Sequence, residues 1–330
     1  MNDLLNFGAN QMSGLRYECR CGRNHNVDIE NIMIGSGVIS SLNQAVQRFA
    51  GRKIFIIEDK NTRMAAGDRV EALLEEEIEV YKYVFDDEHF IPNESSIGRI
   101  VVEIPEDTGL IVAVGSGSIN DMARFISFKL HIPYIIIATA PSMDGYTSTV
   151  SPLIVDGVKT TYNAVYPNMI IADTDILKEA PMHMLHAGLG DILGKYTALA
   201  DWRISSMLNG EYFCDLVEEL VLETIKKCMG VALKIKDRNP EAIESIMEAL
   251  VLSGLAIGMV GASRPASGEE HHLSHCWEMV FMDRGIHTKW LHGNYVGIGV
   301  GIIIEAYRYL SSLNRSEERR VGKECRSRWS

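Results

Sequence analysis

The stretch Leu110-Ile-Val-Ala-Val114-Gly115-Ser116-Gly117-Ser118-Ile119-Asn120-Asp121 passes from a short apolar run, through a glycine-rich turn, into a helical pattern. An apolar run of this length closed by a turn reads as a strand buried in a sheet. Bare backbone at Gly115 and Gly117, followed by the unpaired amides of a helix N-terminus, can cradle a pyrophosphate. Asn120 stands where the dinucleotide fingerprint has its third glycine, so the turn taken alone also fits a tight strand-to-helix connection.

The same alternation extends outward. Lys53-Ile-Phe-Ile-Ile57 precedes a helical stretch to about Leu74, Val80-Tyr-Lys-Tyr-Val84 follows, and Pro133-Tyr-Ile-Ile-Ile-Ala138 comes after a further helix. Strands alternating with helices predict a parallel sheet of Rossmann type. Residues 151–173 read as a hairpin around Asp156-Gly157 and then a strand at Met169-Ile-Ile-Ala172. Beyond Pro181 the periodicity is helical, with segments at 182–207, 211–237 and 241–262. The expected architecture is an α/β N-terminal Rossmann-like domain over 1–178 followed by an all-helical C-terminal domain over 179–314, with a site in the cleft between them.

Composition excludes several function classes. A net charge of −12 over 330 residues argues against a nucleic-acid surface, which needs clustered Lys and Arg. The N-terminus lacks the basic and apolar regions of a signal peptide, so a cytoplasmic location is expected. The longest apolar run, Ala249 to Ala262, is shorter than the roughly 20 residues of a membrane span and reads as a buried core helix.

Chemistry concentrates between Ser263 and His292. Three of the ten histidines, His271, His272 and His275, fall within five residues, and His292 follows. On a helix His271 and His275 share a face, and converging imidazoles suit a divalent metal. Solvated rings at a helix end would explain the same residues. Asp191 in Ala187-Gly-Leu-Gly-Asp191 follows two close glycines and opens an apolar-periodic segment, so it reads either as a third ligand or as a helix cap. At the end of the first strand, Glu58-Asp59 offers an acid to an adenosine ribose. The loop Thr139-Ala140-Pro141-Ser142-Met143-Asp144 to Ser148 sits at a strand C-terminus, where open α/β sheets bind ligands.

Gly-Leu-Gly-Asp191, Arg-Pro-Ala-Ser-Gly-Glu-Glu-His271-His-Leu-Ser-His275 and Leu-His292-Gly together resemble the sn-glycerol-1-phosphate dehydrogenases, within the superfamily of iron-containing alcohol dehydrogenases, glycerol dehydrogenases and dehydroquinate synthases. The similarity runs from about Tyr17 to about Leu313. It implies a metal site of Asp191, His271 and His292, with nickel or zinc ahead of iron. It also implies a cofactor, NAD or NADP, held by Gly117, Ser118, Ile119, Asn120 and Asp121, by Thr139, Ala140, Pro141 and Ser142, and by Ser148; Asp59, from its strand-end position, is the residue expected at the ribose. Asp144, Asp191 and His275 would face the substrate, His275 with a part in relaying a proton. The implied reaction is reduction of dihydroxyacetone phosphate to sn-glycerol 1-phosphate for glycerophospholipid synthesis, in a homodimer. A glycerol or polyol dehydrogenase, or a dehydroquinate synthase-like lyase, would share the site without this substrate. A non-catalytic binding protein would not need all three ligand positions. Phosphate recognition calls for a basic residue, and Arg264, seven residues before His271, is the first candidate because its planar fork suits phosphate oxygens. Lys159 and Lys195 come after it and read as surface lysines.

Two features fall outside that pattern. Cys19-Arg-Cys21-Gly-Arg-Asn-His25 could be part of a zinc site, but no further ligand lies nearby in sequence, so the reading is a turn with two free thiols. The tail 315–330 is polar and basic and lacks the period of a terminal helix, so it is expected to be foreign to the family, disordered, and to end a truncated helical domain.

Overall fold

The computed structural model describes residues 4–74, 78–87, 90–286 and 288–313. The tail 315–330 lies outside them. Ten strands are present among these residues: β1 Arg16–Glu18, β2 Asn24–Asn26, β3 Asn31–Gly35, β4 Lys53–Asp59, β5 Val80–Phe85, β6 Thr108–Gly115, β7 Tyr134–Ala138, β8 Val150–Val155, β9 Val158–Asn163 and β10 Met169–Asp173. The helices are α1 Leu42–Val46, α2 Lys60–Thr62, α3 Asp68–Leu74, α4 Glu94–Glu103, α5 Gly117–Leu130, α6 Thr174–Leu177, α7 Met182–Asn209, α8 Asp215–Val231, α9 Pro240–Val260, α10 Glu269–Asp283 and α11 His292–Ser312.

Six strands form one sheet in the order β3-β10-β7-β6-β4-β5, and every neighbouring pair is parallel. β6, β7 and β10 are buried along their whole length, as strands covered on both faces must be. Alternate residues feed two cores. Ile57, Ile111, Ala113, Ile136 and Ile170 pack toward one face, while Ile54, Ile56, Val112, Ile135 and Ile171 pack toward the other. The first core is continuous with α8 and α9 through Val217, Val221, Ile246 and Leu250, which joins the α/β part to the helical part. The hairpin β8–β9 turns at Asp156 and Gly157, both with positive φ, as a tight two-residue turn requires.

From Met182 onward the elements are helical. The segment expected to run as one helix over 211–237 starts at Asp215 and breaks at Val231 into a 3-10 turn over Ala232–Asp237. Helix α9 is long and apolar enough to cross a membrane by composition, but 72% of its most apolar window is buried inside the fold. Most of its residues are buried, as a core helix requires.

Asp191 does not open a helix. It lies in the third turn of α7, whose N-cap is Pro181, so the capping role fails. The glycines beside it act by size. A Cβ on Gly190 would stand 2.2 Å from the Gly293 carbonyl oxygen, and a Cβ on Gly293 would stand 2.0 Å from that of Ala187. Backbone-to-backbone contact between α7 and the first turn of α11 is therefore what brings Asp191 up to His292. The hairpin β1–β2, which sequence reading grouped with the α/β part, is bonded to the helical part: Arg23 donates to the Val260 carbonyl at 3.0 Å and His25 Nδ1 lies 2.8 Å from that of Met259.

Candidate active site and metal centre

Three helices and one loop meet at Asp191. The carboxylate is fully buried. Its Oδ1 lies 2.6 Å from Lys195 Nζ, one turn on, and 3.5 Å from His271 Nε2 on α10. Its Oδ2 accepts the backbone amide of Asp144 at 3.0 Å. His292, at the start of α11, has its ring centroid 5.2 Å from that of His271 and 5.1 Å from that of His275. His271 thus lies against Asp191, and the rings of His292 and His275 lie beside His271.

The hydrogen-bond partners of the two imidazoles orient them. His271 Nδ1 lies 2.7 Å from Glu270 Oε1, and His292 Nδ1 lies 2.7 Å from Glu278 Oε1. A ring that donates its Nδ1–H to a carboxylate carries its lone pair on Nε2, the arrangement found when histidine serves a metal. Glu270 is held in turn by Thr197 Oγ1 at 2.6 Å, and Glu278 by Lys159 Nζ at 2.7 Å. Four carboxylates, those of Asp144, Asp191, Glu270 and Glu278, face two ammonium groups, Lys195 and Lys159. With the imidazoles neutral, two negative charges are left over, which matches a divalent cation. The donor set of one carboxylate and two imidazoles fits zinc, nickel or iron.

Burial works against the charged form of Asp191, but Lys195 and His271 outweigh it and hold the carboxyl below its usual range. Burial also opposes the charge on His271, as does Lys195, yet Asp191 and Glu270 on its two sides raise its pKa overall. The two carboxylates thus favour positive charge at this point, as a proton or as an ion. His275 behaves differently: burial, Lys159 and His292 push it down to about 4. At neutral pH it is an uncharged imidazole.

Lys195, a surface lysine by its sequence pattern, is instead fully buried, bridging Asp191 and Asp144 at 2.6 and 2.8 Å. Asp144 is fixed further by Ser253 Oγ, which donates to Oδ2 at 3.0 Å. Arg264 does not reach the centre. Its Nε pairs with Glu211 at 2.7 Å, just past the C-terminus of α7, and the 18 residues from Asp191 to Asn209 rise about 27 Å along that helix. The seven-residue spacing to His271 spans an irregular loop instead of a shared helix face, so proximity in sequence misled. Lys159 is the better placed cation, since its charge is felt at Asp121, His275 and Glu278 alike.

The nucleotide loops lie on the C-terminal edge of the sheet. α5 begins at Gly117, where a Cβ would meet only Met143 at 3.7 Å. The turn is locked to the neighbouring loop by Ser116 Oγ and Ser142 Oγ at 2.6 Å and by the Thr139 amide donating to Gly115 at 3.1 Å. Several side chains expected to face a cofactor are used internally. Asn120 donates to the Gly145 carbonyl at 3.1 Å, Asp121 pairs with the buried Arg124 at 2.8 Å, and Ser148 Oγ donates to the Val150 carbonyl at 3.1 Å. The Ala140 carbonyl accepts from Tyr146, and the Pro141 carbonyl is covered by Gly188. Gly117, Ser118 and the amides before Ile119 keep the open edge. Asp59 caps α2, accepting from the amides of Asn61 and Thr62 through one oxygen. Beside it Glu58 is buried with Oε2 unpaired, and burial raises its pKa to about 7.

The family model described as iron-containing alcohol dehydrogenase matches residues 33–181. Among curated proteins, the glycerol-1-phosphate dehydrogenase (NAD(P)+) of Halalkalibacterium halodurans is 38% identical over 313 residues, 93% of this chain and 77% of that protein. The protein of the same name from Geobacillus thermodenitrificans is 36% identical over 308 residues, 92% of this chain and 76% of that one. Among solved structures, glycerol dehydrogenase from Schizosaccharomyces pombe superposes with a TM-score of 0.66 at 21% identity, over 83% of this chain and 70% of that one. The iron-containing alcohol dehydrogenase TM0920 of Thermotoga maritima gives 0.63 at 18%, over 80% and 74%. At these identities the likeness is one of fold.

Proposed function

The chain belongs to the glycerol-1-phosphate dehydrogenase family, and from that premise we propose that it reduces dihydroxyacetone phosphate to sn-glycerol 1-phosphate with NADH or NADPH. The observation that carries this reading is the pair of imidazoles whose Nδ1 atoms are both committed to carboxylates, beside a buried Asp191 and one loop away from an open helix N-terminus. Asp191, His271 and His292 would hold a divalent ion. When bound, the reduced nicotinamide supplies a hydride and the ion supplies Lewis acidity toward the ketone oxygen.

The chain's own residues set up the rest. Lys195 and the Asp144 amide fix the Asp191 carboxylate, and Ser253 fixes Asp144, so the substrate-facing loop and the metal ligand are one rigid unit. His275, uncharged at neutral pH, can take a proton at one ring nitrogen while giving one from the other, which suits a relay to the product alkoxide. Lys159 is the cation assigned to the substrate phosphate. The gene product would act in the cytoplasm, in lipid precursor synthesis.

The test is oxidation of NADH and NADPH with dihydroxyacetone phosphate, with dihydroxyacetone and with neither, each with zinc, nickel and iron. Turnover of the phosphorylated ketone above the free one supports the reading, and the reverse preference would turn it to a glycerol dehydrogenase. Lys159→Ala should lower kcat/KM for the phosphorylated ketone roughly tenfold to a hundredfold, and Arg264→Ala should leave it within about twofold.

A further inference from the structure

Far from Asp191, the fold closes a gap that the sequence leaves open. Cys214, at the N-cap of α8, comes up to the β1–β2 turn, and the ligand atoms of Cys19, Cys21, His25 and Cys214 all lie within 4.8 Å of one another. Cys19 Sγ is 3.7 Å from Cys214 Sγ, and His25 Nε2 is 3.5 Å from Cys21 Sγ and 3.4 Å from Cys214 Sγ. A tetrahedral ion with sulfur at about 2.3 Å and nitrogen at about 2.0–2.1 Å separates two sulfurs by about 3.8 Å and a sulfur from a nitrogen by about 3.6 Å. These three spacings match those of a zinc coordination shell, and the other three lie within 4.8 Å. The sulfur separation is also well beyond a disulfide bond of about 2.05 Å.

Second contacts prepare the same group. His25 is buried, and its Nδ1 lies 2.8 Å from the Met259 carbonyl oxygen. Since a carbonyl only accepts, Nδ1 carries the proton and Nε2 turns its lone pair to the three sulfurs. Tyr212 Oη lies 3.1 Å from Cys21 Sγ. The Arg23 guanidinium stacks 3.4 Å from the centroid of the Tyr212 ring, which places a positive charge beside the tyrosine that contacts Cys21.

We propose that Cys19, Cys21, His25 and Cys214 form a structural zinc site of Cys3His type that clamps the β1–β2 hairpin to the start of α8. Binding displaces the thiol protons and leaves three thiolates and one neutral imidazole on the ion. The ligands come from positions almost 200 residues apart, so the ion would act as a cross-link closing the N-terminal segment onto the helical part.

The catalytic centre carries no sulfur, which separates the two sites optically. The full chain would be loaded with cobalt(II), and sulfur-to-cobalt charge-transfer absorption read in the wild type, in His271→Ala and in Cys214→Ser. The expected result is full absorption in the wild type and in His271→Ala, loss of most of it in Cys214→Ser, and about one zinc per chain retained by His271→Ala purified from zinc-replete cells. If Cys214→Ser does not fold, the wild-type spectrum and the His271→Ala zinc content still decide. A cobalt-loaded wild type without sulfur absorption, or a peptide map joining Cys19 to Cys214 through a disulfide, would overturn the proposal.

Discussion

Lys195 offers the sharpest test of how the candidate centre balances its charge. Its ammonium is fully buried and sits within 2.8 Å of carboxylate oxygens from both Asp144 and Asp191. Lys195→Met keeps the length and apolar stem of the side chain and removes only the charge. Two carboxylates then face each other without a counter-ion. At about 5 Å and an effective dielectric of about 20 they repel by about 3 kcal/mol. Removing one partner of a buried pair typically costs about 3–5 kcal/mol. With an unfolding entropy of about 2.1 cal/mol/K per residue over this chain length, each kcal/mol is worth roughly 1.4 °C, so the melting temperature should fall by about 4–7 °C in chelator-treated buffer. Saturating zinc or nickel supplies the missing positive charge and should recover most of the loss, so the ion stabilises the variant more than the wild type. Calorimetry of both proteins, with and without metal, measures this. A Lys195→Met protein that melts with the wild type in metal-free buffer would refute the reasoning, and one that loses stability but regains none with metal would remove Asp191 from the ligand set.

Three other outcomes are expected. Gly117→Val places a branched side chain over the amides at the start of α5, where a Cβ has Met143 at 3.7 Å as its one close neighbour. NADH affinity by fluorescence titration should drop at least tenfold with little change in melting temperature, and unchanged affinity would make the turn purely structural. Gly190→Ala forces α7 and α11 apart, because its Cβ meets the Gly293 carbonyl oxygen at 2.2 Å. It should cost about 1–3 kcal/mol and weaken metal binding in equilibrium dialysis far more than nucleotide binding; equal losses would argue against glycine contact as the positioning device. Glu58 is a raised carboxyl, with a pKa of about 7 against 4.5 in a free chain. Its protonated form therefore stabilises the fold fully below about pH 4.5, and that contribution is lost as pH rises through about 7. Glu58→Gln should match the wild type near pH 5 and exceed it by on the order of 2–3 kcal/mol at pH 8.5, and parallel pH profiles for the two proteins would sink this account.

The α/β part was legible because its signals are local. A strand such as Leu110 to Val114 carries its burial and its closing turn in consecutive residues, and the hairpin at Asp156-Gly157 has its turn chemistry in place. The positions of Asp191, His271 and His292 were legible only through resemblance, since a carboxylate after two glycines looks like a helix cap until α11 is seen lying against Gly190 and the Pro141 carbonyl against Gly188. What sequence hid were the partners. Lys195 looks like any helical lysine until Asp144, some fifty residues earlier, is found opposite it. Arg264 looks close to the site until it is found paired with Glu211, past the far end of α7 from Asp191. Cys19, Cys21 and His25 look one ligand short until the chain folds Cys214 onto them. Ion pairs and thiol clusters are set by tertiary proximity, and no local period reports them.

The order of the strands also bears on how the protein is made. β3 is an edge strand whose sole sheet neighbour among the described residues is β10, so residues 31–35 leave the ribosome long before Met169–Asp173 exist to pair with them. A nascent chain stopped before β10 should hold β4 to β7 as a sheet while β3 stays open to protease, and the β1–β2 hairpin should gain protection only after α8 and α9 have emerged. Pairing across so long a separation is slow. Segments made before β4 are thus expected to be protected later than the sheet strands that follow them.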